Sequence, residues 1–144
     1  MINTLQPELS DERTSMTVEQ ATDPALAAAA LDQAGDAIIA IDHAGTITLW
    51  NQKCTELFGF TAEQAIGEPV EIIIPENLRT AHEHGFGAAM ESGHLASDGR
   101  ARRTKGITAD GGKVYVTMTF AVINDAEGTA IGAVAVAREY VKES

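Results

Sequence analysis

Apolar positions along this chain change spacing twice, and the changes mark its elements. DAIIAID, from Asp36 to Asp42, is a short apolar strand. His43-Ala44-Gly45 makes a tight turn, and Thr46 to Trp50 is the return strand. The spacing then becomes helical. Asn51 caps NQKCTELFGF, which ends at Gly59, and Thr61 caps TAEQAIG, which closes at Gly67. After Gly93 the period returns to two. Residues 99 to 109 read as a strand, and Asp110-Gly111-Gly112 reads as a hairpin turn. From Lys113 to Asn124, Val114, Val116, Met118, Phe120 and Val122 share one face, while Tyr115, Thr117 and Thr119 share the other. A second turn at Asp125 to Gly128 leads to a last strand of small and β-branched residues, Thr129 to Arg138. Two strands, several short helices and three more strands predict an α+β domain, with a five-stranded antiparallel sheet covered by helices on one face.

One helix organises the middle of the chain, PENLRTAHEHGFGAAMESG from Pro75 to Gly93. Pro75 suits a first helical position, Glu76 meets the positive helix end, and Gly93 is a natural C-cap. Leu78, His82 and Phe86 recur every four residues, and Ala89 and Met90 continue the stripe. His82 therefore lies on an apolar face, whereas His84 points toward the charged side. A neutral imidazole on an apolar face is either a half-buried core histidine or a metal ligand presented into a pocket. The face alone leaves both readings open.

The ends have a different character. Residues 1–21 are polar, mixed in charge and without periodicity, and read as a mobile tail. Asp23-Pro24 then opens a flanking helix over residues 22–35, with Leu26 and Leu31 as its large apolar residues. This helix packs on the domain or on a second copy of itself. The domain proper spans residues 36–140. The chain has 144 residues and a net charge of −11, so no nucleic-acid partner is expected. One cysteine, Cys54, excludes an internal disulfide or a multi-cysteine metal site. The longest apolar runs fall far short of the roughly 20 residues of a membrane span, and no signal peptide is visible, so a cytoplasmic protein with no membrane contact is expected. No phosphate loop, metal-spaced carboxylate cluster or nucleophile–base motif is present, and catalysis by this segment is not expected.

The order of these pieces resembles a PAS domain. The matching residues are Asp36 to Asp42 with Gly45 and Ile47, Trp50-Asn51, Leu57 to Phe60, Gly67, Pro75, Asp110-Gly111 and Val136-Ala137-Arg138. Leu78-Arg79-Thr80-Ala81-His82 is also similar to the Leu-Arg-x-x-His segment of haem-binding PAS gas sensors of the FixL and Dos type. That resemblance implies haem b as cofactor, with His82 as proximal iron ligand and Arg102 as distal donor to a bound gas. Oxygen is the first expectation, with CO and NO as further ligands. Ile72, Leu78, Phe86, Met118, Phe120 and Val134 are the expected pocket residues, and Arg79 is expected at a propionate or a surface carboxylate.

Some features bear on that expectation directly. Arg100, Arg102, Arg103 and Lys105 form a basic cluster in an acidic chain. Alternation puts Arg100 and Arg102 on one face, while Arg103 and Lys105 fit a solvated strand edge. Dos-type sensors carry a methionine two residues before the distal arginine; here that position is Arg100, so an open sixth site is expected, with Met118 or Met90 as the alternative sixth ligand. Flavin-binding light-oxygen-voltage domains use a reactive cysteine in an Asn-Cys-Arg motif that this chain lacks. Such families continue into a kinase or nucleotide cyclase, so an effector domain or partner protein is expected, and a homodimer through the N-terminal helix. The rival reading is a cofactor-free PAS dimerisation or protein-interaction module, or a PAS pocket for a small metabolite. His82 is then a core histidine.

Overall fold

Period-two burial in the strands and a single helical layer explain the architecture of this computed structural model, which describes residues 23–95 and 99–140. The tail expected over residues 1–21 lies outside the described residues. Residues up to Leu31 belong to one unit and those from Asp32 onward to a second. In the first, helix α1 (Pro24–Gln33) begins where the Asp23 carboxylate accepts a hydrogen bond from the Leu26 amide at 3.0 Å. None of its residues is buried, and Leu26 is 63% exposed.

The second unit is built on a sheet of β1 (Ala37–Asp42), β2 (Ile47–Trp50), β3 (Arg102–Ile107), β4 (Lys113–Asn124) and β5 (Ala130–Glu139), in the order β2-β1-β5-β4-β3. Every pairing is antiparallel. The expected α+β layout with five strands is therefore what forms. The third strand is shorter than residues 99 to 109. It starts only at Arg102, where pairing with Met118 begins.

Register decides which residues meet the helices. Ala37, Ile39 and Ile41 oppose Ala137, Ala135 and Ala133, and Met118 and Phe120 oppose Ala137 and Ala135 across β5. These residues share one face, because directly paired residues point the same way. Helices α2 (Gln52–Phe58) and α3 (Ala62–Ala65) and the 3-10 turn Val70–Ile73 cover that face with Cys54, Phe58, Ala65, Val70 and Ile73. Asn51 does more than cap α2. Its buried side chain accepts from Cys54 N and Ile38 N and donates to the Asp36 carbonyl, stitching helix and first strand together.

Cys54 is wholly buried, and its thiol donates to the Ile38 carbonyl at 3.2 Å. Burial pushes the thiol up from 9.0 to about 11. The folded state holds this proton more tightly than the unfolded chain does. Its stabilisation is complete below pH 9.0 and is lost as pH rises through about 11. Urea unfolding should reveal a loss of about 2 to 3 kcal/mol over that window, absent from Cys54→Ala. A parallel decline in both proteins would show that other groups carry it.

The organising helix differs at its start from the expectation. Pro75 is not a first helical residue: it is extended, with ψ 141°, and a separate 3-10 turn, Glu76–Leu78, follows it. The Leu78 amide bonds to the Pro75 carbonyl at 2.8 Å, a one-residue-tighter closure than an α-turn. Helix α4 then runs Arg79–Ser92, unbroken through Gly85 and Gly87. It ends at Gly93, whose φ of 83° is left-handed, as a glycine C-cap allows.

Candidate functional site

Helix α4 lays its apolar stripe toward the core face of the sheet. Ala89 is buried there, and Phe86 packs against the core cluster together with Ile72 and Phe120. His82 is half-buried one turn before Phe86, and the two rings are parallel, 6.1 Å apart between centroids. His84 is exposed. Burial lowers the His82 pKa from its ordinary 6.5 despite the neighbouring Glu71 and Glu83 carboxylates, so the ring is neutral at physiological pH.

The ring has no hydrogen bond among the described residues. Its Nδ1 is buried without a partner, and Glu71 Oε2 lies 3.8 Å away, beyond hydrogen-bond distance. An orphaned buried nitrogen of this kind costs free energy, on the order of 1–3 kcal/mol, unless something else satisfies it. In this structure no protein group among the described residues stands within hydrogen-bond distance of it.

A groove of about 740 Å³ begins one turn further along the helix. Gly85, Ala88, Ala89 and Ser92 of α4 line one side, and Arg100 and Arg102 line the other. Arg102 pairs with Met118, so it shares the core-facing side of the sheet while remaining exposed at its edge. Arg100 precedes the strand and lines the same groove. Arg103 points to the opposite face, and its guanidinium lies 4.9 Å from the Tyr140 ring, a cation–π contact. It is therefore more than the solvated edge residue expected from sequence.

The expected pocket residues are thus divided. Ile72, Phe86, Met118 and Phe120 join one apolar cluster beside α4. Leu78 is half-buried and sits immediately before α4. Val134 does not join them. It pairs with Ala40 and Ala121 on the outer face of the sheet, one residue out of phase with Ala133 and Ala135. Arg79 Nε donates to the Ile74 carbonyl at 3.0 Å, closing the segment that leads into the helix. Sequence reasoning missed Glu71 as the neighbour of His82. Its signal is a carboxylate in an otherwise apolar lead-in, VEIII, eleven residues before the histidine.

These residues fit a haem iron in their donor chemistry. A neutral imidazole with a carboxylate on its Nδ1 side and an apolar cluster beside it has the donor chemistry of an iron-ligating histidine. No group of three or more His, Cys, Asp or Glu side chains that could hold a metal ion occurs among the described residues. The only cysteine is in the core on α2, with a thiol that burial keeps protonated. Among the described residues, no helix is long and apolar enough to cross a membrane.

A five-stranded antiparallel sheet with short helices and a groove on one face defines the class of small α+β modules that carry their sites between sheet and helix. A family model described as the PAS fold matches residues 25–139, and the chain belongs to the PAS family. It is 36% identical over 84 residues to an uncharacterised protein of Azorhizobium caulinodans, covering 58% of this chain and 11% of that protein. It is 26% identical over 99 residues to the oxygen sensor protein DosP of Escherichia coli, covering 69% of this chain and 12% of DosP. The chain therefore spans about an eighth or less of these curated relatives. The PAS domain of a Colwellia psychrerythraea protein matches with a TM-score of 0.67 and 25% identity, over 81% of this chain and 95% of that one. A light-oxygen-voltage domain matches with a TM-score of 0.63 and 17% identity, over 85% of this chain and 89% of that one, a likeness of fold alone.

Proposed function

We propose that this chain is a haem-b-binding PAS sensor domain for a diatomic gas, with oxygen as the first ligand and CO and NO as others. The observation that carries the reading is His82, a neutral imidazole with a buried, unpartnered Nδ1, on the helix that opens with Leu-Arg-x-x-His. Similarity to an oxygen sensor of Escherichia coli supports it.

Haem, when bound, supplies an iron centre that takes a diatomic gas. His82 would hold that iron through an imidazole nitrogen. Ile72, Phe86, Met118 and Phe120 keep water from the site, because they already pack as one apolar cluster. Arg102 offers charged N–H donors from the groove edge, where it would favour a ligand carrying partial negative charge. Its strand is hydrogen-bonded to β4, and β4 to β5. The end of β5 is tied to the start of β1 by Arg138 Nε, 2.7 Å from the Asp36 carboxylate. A change in Arg102 contacts therefore has a covalent and hydrogen-bonded route to both ends of the domain, where it biases a two-state arrangement.

The segment acts as a sensor rather than a catalyst, in the cytoplasm, and passes its state to an effector domain or partner protein. Exposed Leu26 and Leu31 on α1 support a homodimer through that helix.

The test is an absorbance spectrum of haem-reconstituted protein, wild type beside His82→Ala. A Soret band in the wild type that the variant loses or strongly shifts is expected. No band in the wild type, or the same band in both, overturns the reading.

A further inference from the structure

An imidazole that presents one nitrogen to a metal needs its other nitrogen settled. A neutral ring carries one N–H and one lone pair, and the partner of the N–H decides which nitrogen is left as the donor. For His82 the buried nitrogen is Nδ1, and a carboxylate oxygen of Glu71 lies 3.8 Å from it. A water bonded at about 2.8 Å to both atoms would have to close its angle to roughly 85°, well below tetrahedral, so a direct bond is the better geometry. The span closes to a direct bond with a small side-chain rotation, and such contacts are often long before the ligand is present.

Glu71 is also held where this task requires. It sits on the 3-10 turn Val70–Ile73, whose Val70 and Ile73 side chains are buried in the core. The Ile74 amide donates to the Glu71 carbonyl at 3.0 Å, and Arg79 at the head of α4 donates to the Ile74 carbonyl. The turn and the helix that carry the pair are thus tied together by a short bonded path. The Glu71 side chain is 29% exposed and has no other ion pair or hydrogen bond among the described residues. Glu83 is the other nearby carboxylate, but it follows His82 in the helix and projects about 100° away.

We propose that Glu71 is the positioning residue of the site: it accepts the Nδ1–H of His82, fixes that tautomer and turns the Nε2 lone pair outward as the ligating atom. The inference rests on the haem reading for what Nε2 binds, but the tautomer does not depend on haem. Glu71 acts through His82 and touches no ligand itself.

The experiment is a long-range proton–nitrogen correlation spectrum of the histidine rings in the ligand-free protein, for wild type, Glu71→Gln, Glu71→Leu and Glu83→Gln. Wild type and Glu83→Gln should show His82 protonated on Nδ1. Glu71→Leu should move the proton to Nε2, and Glu71→Gln, which keeps shape and an acceptor oxygen, should retain at least part of the Nδ1–H form. Haem affinity should fall about 10- to 100-fold in Glu71→Leu, with a lowered iron–histidine stretching frequency by resonance Raman. A wild-type His82 protonated on Nε2, or an Nδ1–H form unmoved in Glu71→Leu, overturns the proposal. So does a tautomer that flips with no change in haem affinity or stretching frequency. Absence of a haem band in the wild type overturns the functional reading instead, and the tautomer result stands apart from it.

Discussion

Gly132→Ala should destabilise the domain by about 3 kcal/mol, although it adds one methyl group to a strand. A Cβ at this position would fall on the carbonyl oxygen of Ile41 and lie 3.2 Å from the Asp42 Cα. Both are backbone atoms, so no side-chain rotation relieves the clash. Gly132 is in β5, the middle strand, paired with Asp42 of β1 on one side and Ile123 of β4 on the other. The β4–β5 ladder shifts register close by, between Ile123 and Asn124, and on its far side β1 shifts against β2 between Ala40 and Ile41. Moving β5 away from β1 to admit the methyl would strain the β4 pairing as well. The check is a urea titration. The midpoint should fall with the slope unchanged, since the same surface is exposed on unfolding. A midpoint equal to wild type would mean the strands part at this crossing without cost. Gly128→Ala, at a left-handed turn position with nothing within 4 Å of a Cβ, separates the effect of crowding from that of glycine conformation.

The reason the sheet was legible and this crowding was not lies in what each depends on. Alternation from Val114 to Met118 fixes a buried face because the pleat has period two, and those residues are indeed buried. The Asn51, Gly59, Thr61 and Gly93 signals also read correctly, because caps satisfy backbone groups within one turn. Start positions were harder. Pro75 is compatible with a helix start, but Leu78 bonds back to its carbonyl in a 3-10 closure, and the α-helix begins at Arg79. Nothing in the local sequence separates these two outcomes, since both leave the proline nitrogen unbonded.

Site residues divide along the same line. His82 on an apolar face followed from helical period alone, and its half-buried position beside Phe86 agrees. Arg100 and Arg102 both reach one groove, as alternation suggested. Val134 failed because the last strand is small on both faces, so composition could not say which one meets the helices. Only pairing of Ile39 with Ala135 does. Glu71 stands out only as a carboxylate in an apolar lead-in; its relation to His82 crosses a 3-10 turn and a second short turn, where neither period applies. Arg79 has a long flexible side chain, and its choice of the Ile74 carbonyl depends on how that segment folds back.

Phe58→Ala should cost about 3–5 kcal/mol, and the same contact makes a sharper prediction with Gly106. Phe58 is 1% exposed and packs against Trp50 with ring centroids 5.7 Å apart. Its ring also lies over Gly106 of β3, where an added Cβ would sit 2.7 Å from Phe58 Cε1 and 3.2 Å from the Ile73 carbonyl oxygen. The missing side chain at 106 is therefore the space the phenylalanine occupies. That fit holds the edge strand carrying Arg102 against the helical layer. Gly106→Ala alone should cost about 1–3 kcal/mol. Once Phe58 is truncated, the methyl at 106 loses its two Phe58 ring contacts and keeps the one with the Ile73 oxygen. The double variant should then be less damaged than the sum of the singles, by about 1 kcal/mol or more. Unfolding midpoints of the four proteins decide it. Additive costs would mean that β3 relaxes away from Phe58 independently, and that something other than this contact sets the position of the strand.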